Sequence, residues 1–199
     1  MELFSKLFGR KDSNGNSAGL TKTSTMLDED MYWTLVTDSL RNSETLEEQH
    51  EFLVSRLKLL SPSEIVGFKL RTDKLLHDTY NSEMWCAGYI MNGGCSDDGF
   101  NYFRNWIISR GKEVYYHAKE NPDSLVDLAD DDTESYEFED FAYAATDAFT
   151  EKTGKKIYDF IDQDNFKEGG YPTFDFTWEE ENPDSMKKIC PRLIERLWK

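Results

Sequence analysis

The sequence predicts an all-α protein, a single-domain helical bundle. Apolar residues recur at intervals of three and four through most of the chain, helix start and stop signals bracket those stretches, and no succession of strands is visible. With 199 residues, 38% of them hydrophobic and 14% aromatic, the chain can bury one core built on Phe, Tyr and Trp.

The first element, "MELFSKLFGRK", places Leu3, Phe4, Leu7 and Phe8 at helical spacing beside Lys6, Arg10 and Lys11. A short basic amphipathic helix of this kind can touch a membrane surface weakly through Met1–Lys11. The stretch that follows, rich in Ser, Asn, Gly and Thr, reads as a flexible linker. Residues 1–26 are therefore expected to precede a helical domain spanning 27–199. In "LDEDMYWTLVTDSL", acids occupy a first turn, where the helix dipole favours them, ahead of Met31, Trp33, Leu35, Val36 and Leu40. Thr45 and Glu48 form a capping box before Leu46, Leu53, Leu57 and Leu60. Ser61, Pro62 and Glu64 give a stronger start signal, with Ile65, Val66, Phe68, Leu75, Leu76 and Tyr80 on the buried side.

Next comes "WCAGYIMNGGCSDDGF", Trp85 to Phe100. A helix carrying Trp85 and Tyr89 ends near Asn92, and Gly93 and Gly94 permit the positive φ values of a cap and sharp turn. Ser96 caps the following helix, and Asp97 and Asp98 fill its first turn. The segment is thus predicted to be an αα-hairpin whose structural corner is Asn92, Gly93, Gly94, Cys95 and Gly99. A functional reading stands beside this one. Gly99 inside a first turn makes sense if something packs close, and the two aspartates point different ways. Trp85, Ser96, Asp97, Asp98 and Arg104 are then candidates for contact with a ligand or partner. Cys95 beside a helix start has either a lowered thiol pKa or a buried, inert thiol.

Further on, "YEFEDFAYAATDAFTEKTG" repeats Phe138, Phe141, Ala142, Ala145 and Phe149 at helical intervals and stops at Gly154. The two "NPDS" copies, Asn121–Ser124 and Asn182–Ser185, are turns that open helices. The alternation in Thr173–Trp178 suits one short strand, and a final helix breaks or restarts at Pro191.

Charge narrows the function classes. With 39 acids against 23 bases, the net charge is −16, which repels nucleic acid and anionic lipid but favours a basic protein partner. Runs at Asp130–Asp132 and Glu179–Glu181 are candidate contacts. Cys86, Cys95 and Cys190 lack zinc-type spacing, and the odd count argues for a reducing cytoplasm. His50, His77 and His117 form no metal motif. No cofactor or metal is expected, and no stretch has the length of a membrane span or the pattern of a signal peptide.

The run matched at Trp85, Ala87, Tyr89, Asn92 through Phe100, Phe103, Arg104 and Trp106 resembles the signature of the bacterial domain-of-unknown-function family four-two-four-zero. The resemblance is expected to run from Leu27 to the closing "CPRLIERLW". It implies a helical bacterial cytoplasmic domain and transfers no catalytic role to Asp97 or Asp98. Two classes of function follow. One is a non-catalytic interaction protein, for instance an immunity-type protein that binds a basic partner. The other is a small-ligand or enzymatic domain with its pocket at the Asp97/Asp98 corner, including Arg104, Trp85 and His77.

Overall fold

The computed structural model describes residues 20–163 and 170–198, and among these the architecture is all-helical. The helices are α1 (Glu29–Arg41), α2 (Leu46–Leu57), α3 (Pro62–Asp78), α4 (Ser82–Asn92), α5 (Asp97–Ser109), α6 (Lys112–Glu120), α7 (Ala144–Thr153), α8 (Pro183–Met186) and α9 (Pro191–Leu197). Short 3₁₀ turns lie at Pro122–Leu128, Asp140–Ala142 and Ile157–Phe160. No described helix is long and apolar enough to cross a membrane.

The expected caps form. Asp28, Thr45 and Ser61 accept the amides of Met31, Glu48 and Glu64, and the last two are reciprocal capping boxes. Gly154 ends α7 at φ +70°. Helices α2 and α3 pack on α7, α1 lies on α2, and α4 and α5 form the hairpin that carries the corner. Stacked Tyr32 and Phe68, with ring centroids 4.5 Å apart, join α1 to α3, and the Tyr32 hydroxyl meets Thr72 Oγ1 at 3.0 Å. Burial disfavours the charged phenolate more than the Thr72 hydroxyl and Arg71 favour it, and pushes its pKa far up.

Two expectations change. The helix expected across the Phe138 repeat begins only at Ala144, because upstream amides are used elsewhere: Tyr136 N–H donates to Asn92 Oδ1 at 2.8 Å and Phe138 N–H to the Tyr102 carbonyl at 3.0 Å. No strand forms over 173–178. That segment is fixed by side-chain bonding instead, with Thr177 N–H and the Trp178 indole donating to Ser82 Oγ and Ser82 O, both at 2.9 Å. Residues around the expected boundary at Leu27 also contact the body. Thr23 makes a parallel bridge with Ile161, the Leu27 amide donates to the Gly67 carbonyl at 2.9 Å, and Arg71 Nε and Nη2 donate to the Leu27 carbonyl. The amphipathic start, Met1–Lys11, lies outside the described residues.

The second "NPDS" copy opens α8, with Asn182 accepting the Ser185 amide. In the first copy, Asn121 caps the 3₁₀ turn while Asp123, almost fully buried, caps a distant helix. Its two carboxylate oxygens accept the amides of Leu193 (3.0 Å) and Arg192 (3.2 Å), which fastens α9 to the body.

Gly67 is where the leading segment crosses α3. A Cβ there would lie 2.8 Å from the Leu27 nitrogen and 3.0 Å from the Thr25 carbonyl oxygen. Both obstacles are backbone and cannot rotate away. Gly67→Ala should therefore destabilise the fold by about 1–3 kcal/mol despite alanine's better helix propensity. Chemical denaturation measures this, and an unchanged or raised midpoint would refute the crowding.

Candidate functional site

The corner forms as a tight elbow. Gly93 adopts φ +64° and Gly94 φ +143°, and both amides return to the Tyr89 carbonyl. Ser96 Oγ accepts the Gly99 amide at 3.1 Å and starts α5. Trp85 closes the elbow from inside: its indole N–H donates to the Cys95 carbonyl at 3.0 Å and its ring stacks on Phe100 at 4.3 Å. Gly99 does have a close neighbour, the Glu137 carboxylate, whose Oε1 would lie 3.1 Å from a Cβ there.

Arg104 is not at the surface. On α5 it shares a face with Phe100, Phe103 and Ile107, and it is 1% exposed. Its guanidinium lies 4.5 Å from the Phe100 ring centroid, 4.8 Å from Tyr171 and 5.0 Å from Tyr80. Nη1 donates to the Leu76 carbonyl at 2.5 Å and Nε to the Phe100 carbonyl at 3.2 Å. Leu76 lies in the last turn of α3, where carbonyls have no helical partner and the dipole end is negative. The Tyr80 amide, which would have reached Leu76, turns to His77 instead. The neighbouring Leu75 carbonyl accepts from the Tyr115 hydroxyl at 2.8 Å and from Thr79 Oγ1 at 3.1 Å. A buried cation thus finds carbonyls and π-faces in place of a carboxylate. Burial lowers the Arg104 pKa, and the Tyr171 and Tyr80 hydroxyls oppose that shift.

The named candidates therefore do not converge on one cleft. Trp85 and Arg104 are packed inside, whereas Ser96, Asp97 and Asp98 are exposed. Cys95 is half-buried, and burial together with the Glu137 carboxylate pushes its thiol up to about 12, the reverse of an activated nucleophile.

What the exposed aspartates join is a surface. Glu137 packs against Gly99. Glu139 accepts the Tyr143 hydroxyl at 3.0 Å and lies beside the Tyr102 hydroxyl. That carboxylate, with Asp98 adding to it, pushes the Tyr102 phenol up to about 12, and Glu139 with Asp140 likewise raises Tyr143. Ion pairs among the described residues involve other acids, so Asp97, Asp98, Glu137, Glu139 and Asp140 form an uncompensated negative face. The run expected at Asp130–Asp132 differs, since Asp131 pairs with Arg196 at 2.8 Å and nearby Asp127 with Arg192 at 2.5 Å. In the run at Glu179–Glu181, the Glu179 carboxylate is bonded within its own turn by Asn182.

A separate cavity of about 250 Å³ opens on α3, lined by Leu70, Asp73, His77, Tyr158, Ile161 and Tyr171 among others. His77 is the one earlier candidate it contains. Sequence reasoning missed the rest, although Leu70, Asp73 and His77 lie at intervals of three and four on one helix face. The tyrosines come from remote segments and leave no local pattern. Among the described residues, no group of three or more His, Cys, Asp and Glu is placed to hold a metal.

A family profile described as "Protein of unknown function (DUF4240)" matches residues 27–151. The match ends in α7, short of the C-terminal "CPRLIERLW" to which the resemblance had been extended. No curated protein and no solved structure matches the chain.

Two outcomes follow. Arg104→Lys should cost about 2–4 kcal/mol, because an ammonium cannot reproduce the planar fork and stacking and leaves buried carbonyls short of donors. Asp98→Asn on the exposed face should change stability by less than about 0.5 kcal/mol. Equal effects in denaturant melts would contradict the assignment. Cys95 should resist iodoacetamide in the native protein at pH 8, where its raised pKa leaves it protonated, and should react as pH approaches 12. Rapid native labelling at Cys95, located by peptide mass spectrometry, would contradict it.

Proposed function

The chain belongs to the DUF4240 family of proteins of unknown function, and we propose that it acts as a non-catalytic interaction module receiving a basic polypeptide on its acidic, tyrosine-bearing corner face. The observation that carries this reading is the concentration of Asp97, Asp98, Glu137, Glu139 and Asp140 around Tyr102 and Tyr143, with no ion pair to a cation among the described residues. Carboxylates whose two oxygens both already hold a cation gain little from another. Unpaired ones steer a cationic partner and then exchange water for its donors. Tyrosines anchored to a carboxylate offer flat contact area with few torsions to freeze, and they attract ammonium and guanidinium groups.

The net charge of −16 adds long-range attraction. The three free cysteines suit a reducing cytoplasm as the place of encounter. A catalytic reading has no comparable support, because the corner holds no nucleophile beside a base and the Cys95 thiol is held protonated.

The test is affinity capture from the native host with three full-length baits: wild type, a triple reversal Asp98→Lys/Glu139→Lys/Asp140→Lys, and a control reversing Glu179, Glu180 and Glu181 to Lys. One stoichiometric basic protein should be retained by wild type and control, lost from the corner variant, and released as salt rises. Equal retention by all three, or equal loss from both variants, would refute the corner as the docking face.

A further inference from the structure

We propose that the cavity on α3 is the receptacle for one arginine side chain of that basic partner, so that corner face and cavity form a single binding track. This rests on the interaction reading above and adds the anchor it lacks.

Among the described residues, four of the five exposed large hydrophobic side chains, Tyr143, Tyr158, Tyr171 and Phe176, lie along this track, and Leu59 does not. Tyr143 stands at the corner face, within electrostatic range of the Tyr158 hydroxyl. Tyr158 and Tyr171 line the cavity. Tyr171 stacks on Tyr80 at 4.2 Å, Tyr80 touches Trp85 and Phe174, and both of these touch Phe176 at 5.3 Å. Tyr158 and Tyr171 are 58% and 46% exposed, well beyond what a ring packed only for stability needs.

The cavity's chemistry selects a cation. Asp73 projects from α3 between Leu70 and His77, and only its Oδ1 is bonded, to Lys69. Oδ2 remains an acceptor with no partner among the described residues. Lys69 already displays the mode of recognition, pairing with Asp73 while its Nζ lies 5.9 Å from the Tyr158 ring centroid. A second cation has Oδ2 and the outer surfaces of Tyr158 and Tyr171, whose exposed rings also offer apolar contact to a methylene stem. A guanidinium stacks flat on a phenol and still donates two parallel bonds in its own plane, whereas an ammonium meets ring and carboxylate only as a point charge. The chain itself seats Arg104 against the Tyr171 ring in this way.

The experiment is an NMR titration of the ¹⁵N-labelled full chain with N-acetyl-arginine amide. N-acetyl-lysine amide and the uncharged isostere N-acetyl-citrulline amide serve as comparisons. Saturable shifts should centre on Leu70–His77 and on Tyr158 and Tyr171, with arginine about tenfold tighter than citrulline. Asp73→Asn should weaken arginine binding about tenfold. Lys69→Met, which removes the chain's own competitor, should leave it equal or tighter. Each variant's spectrum reports whether it is folded. Citrulline or lysine binding as tightly as arginine, indifference to Asp73→Asn, or no saturable shift at these residues would overturn the assignment. A silent cavity with capture still lost from the corner variant would remove the cavity alone. Undiminished capture by the corner variant would remove the interaction reading whatever the cavity does.

Discussion

A guanidinium enclosed by three aromatic rings joins the middle of α5 to the end of α3 and to the chain beyond Gly170. Arg104 donates to the Leu76 carbonyl where α3 stops, at shorter range than the Thr79 hydroxyl at 3.3 Å, and its charge faces the negative end of that helix dipole. The desolvation cost of such a cation is large unless hydrogen bonds and π-faces replace its water. Here Phe100 O, Leu76 O, Phe100, Tyr80 and Tyr171 replace it together. Tyr171 belongs to an irregular segment, so the clamp also fixes a stretch of chain that no strand or helix would hold.

Both surfaces proposed to receive a partner rest on this arrangement. Toward the corner, α5 starts at Ser96 and exposes Asp97 and Asp98 beside Glu137 and Glu139. Toward the cavity, Tyr171 presents one side to Tyr80 and Arg104 and also lines the space above Asp73 and His77. A rigid platform of this kind presents carboxylates and rings with little left to order on binding. Several acids elsewhere are spent differently: Asp123 caps α9, Asp131 and Asp127 hold arginines of the same helix, and Glu29 gathers Tyr116, Lys112 and Arg71.

Much of the fold was legible because its signals are local. Thr45 with Glu48, Ser61 with Glu64, and Gly93 before Ser96 each act within a few residues, and the structure uses them as the spacing suggested. The late start of α7 was not legible, because the amides of Tyr136 and Phe138 bond to Asn92 and Tyr102, more than thirty residues away in sequence. Arg104 could have been placed better. It occupies the apolar stripe Phe100–Phe103–Arg104–Ile107, which faces the core, yet the adjacent aspartates placed it among the candidates for contact with a ligand or partner. The cavity depends on Tyr158 and Tyr171 meeting α3 from far along the chain, and no spacing rule reaches that distance.

A double-mutant cycle between Arg104→Met and Tyr171→Leu, read by chemical denaturation, tests the clamp most directly. The two side chains should be coupled by about 1–2 kcal/mol, as expected for a desolvated guanidinium on an aromatic face. Strictly additive losses would mean that Arg104 does not hold the segment beyond Gly170, and the platform beneath both surfaces would lose its physical basis.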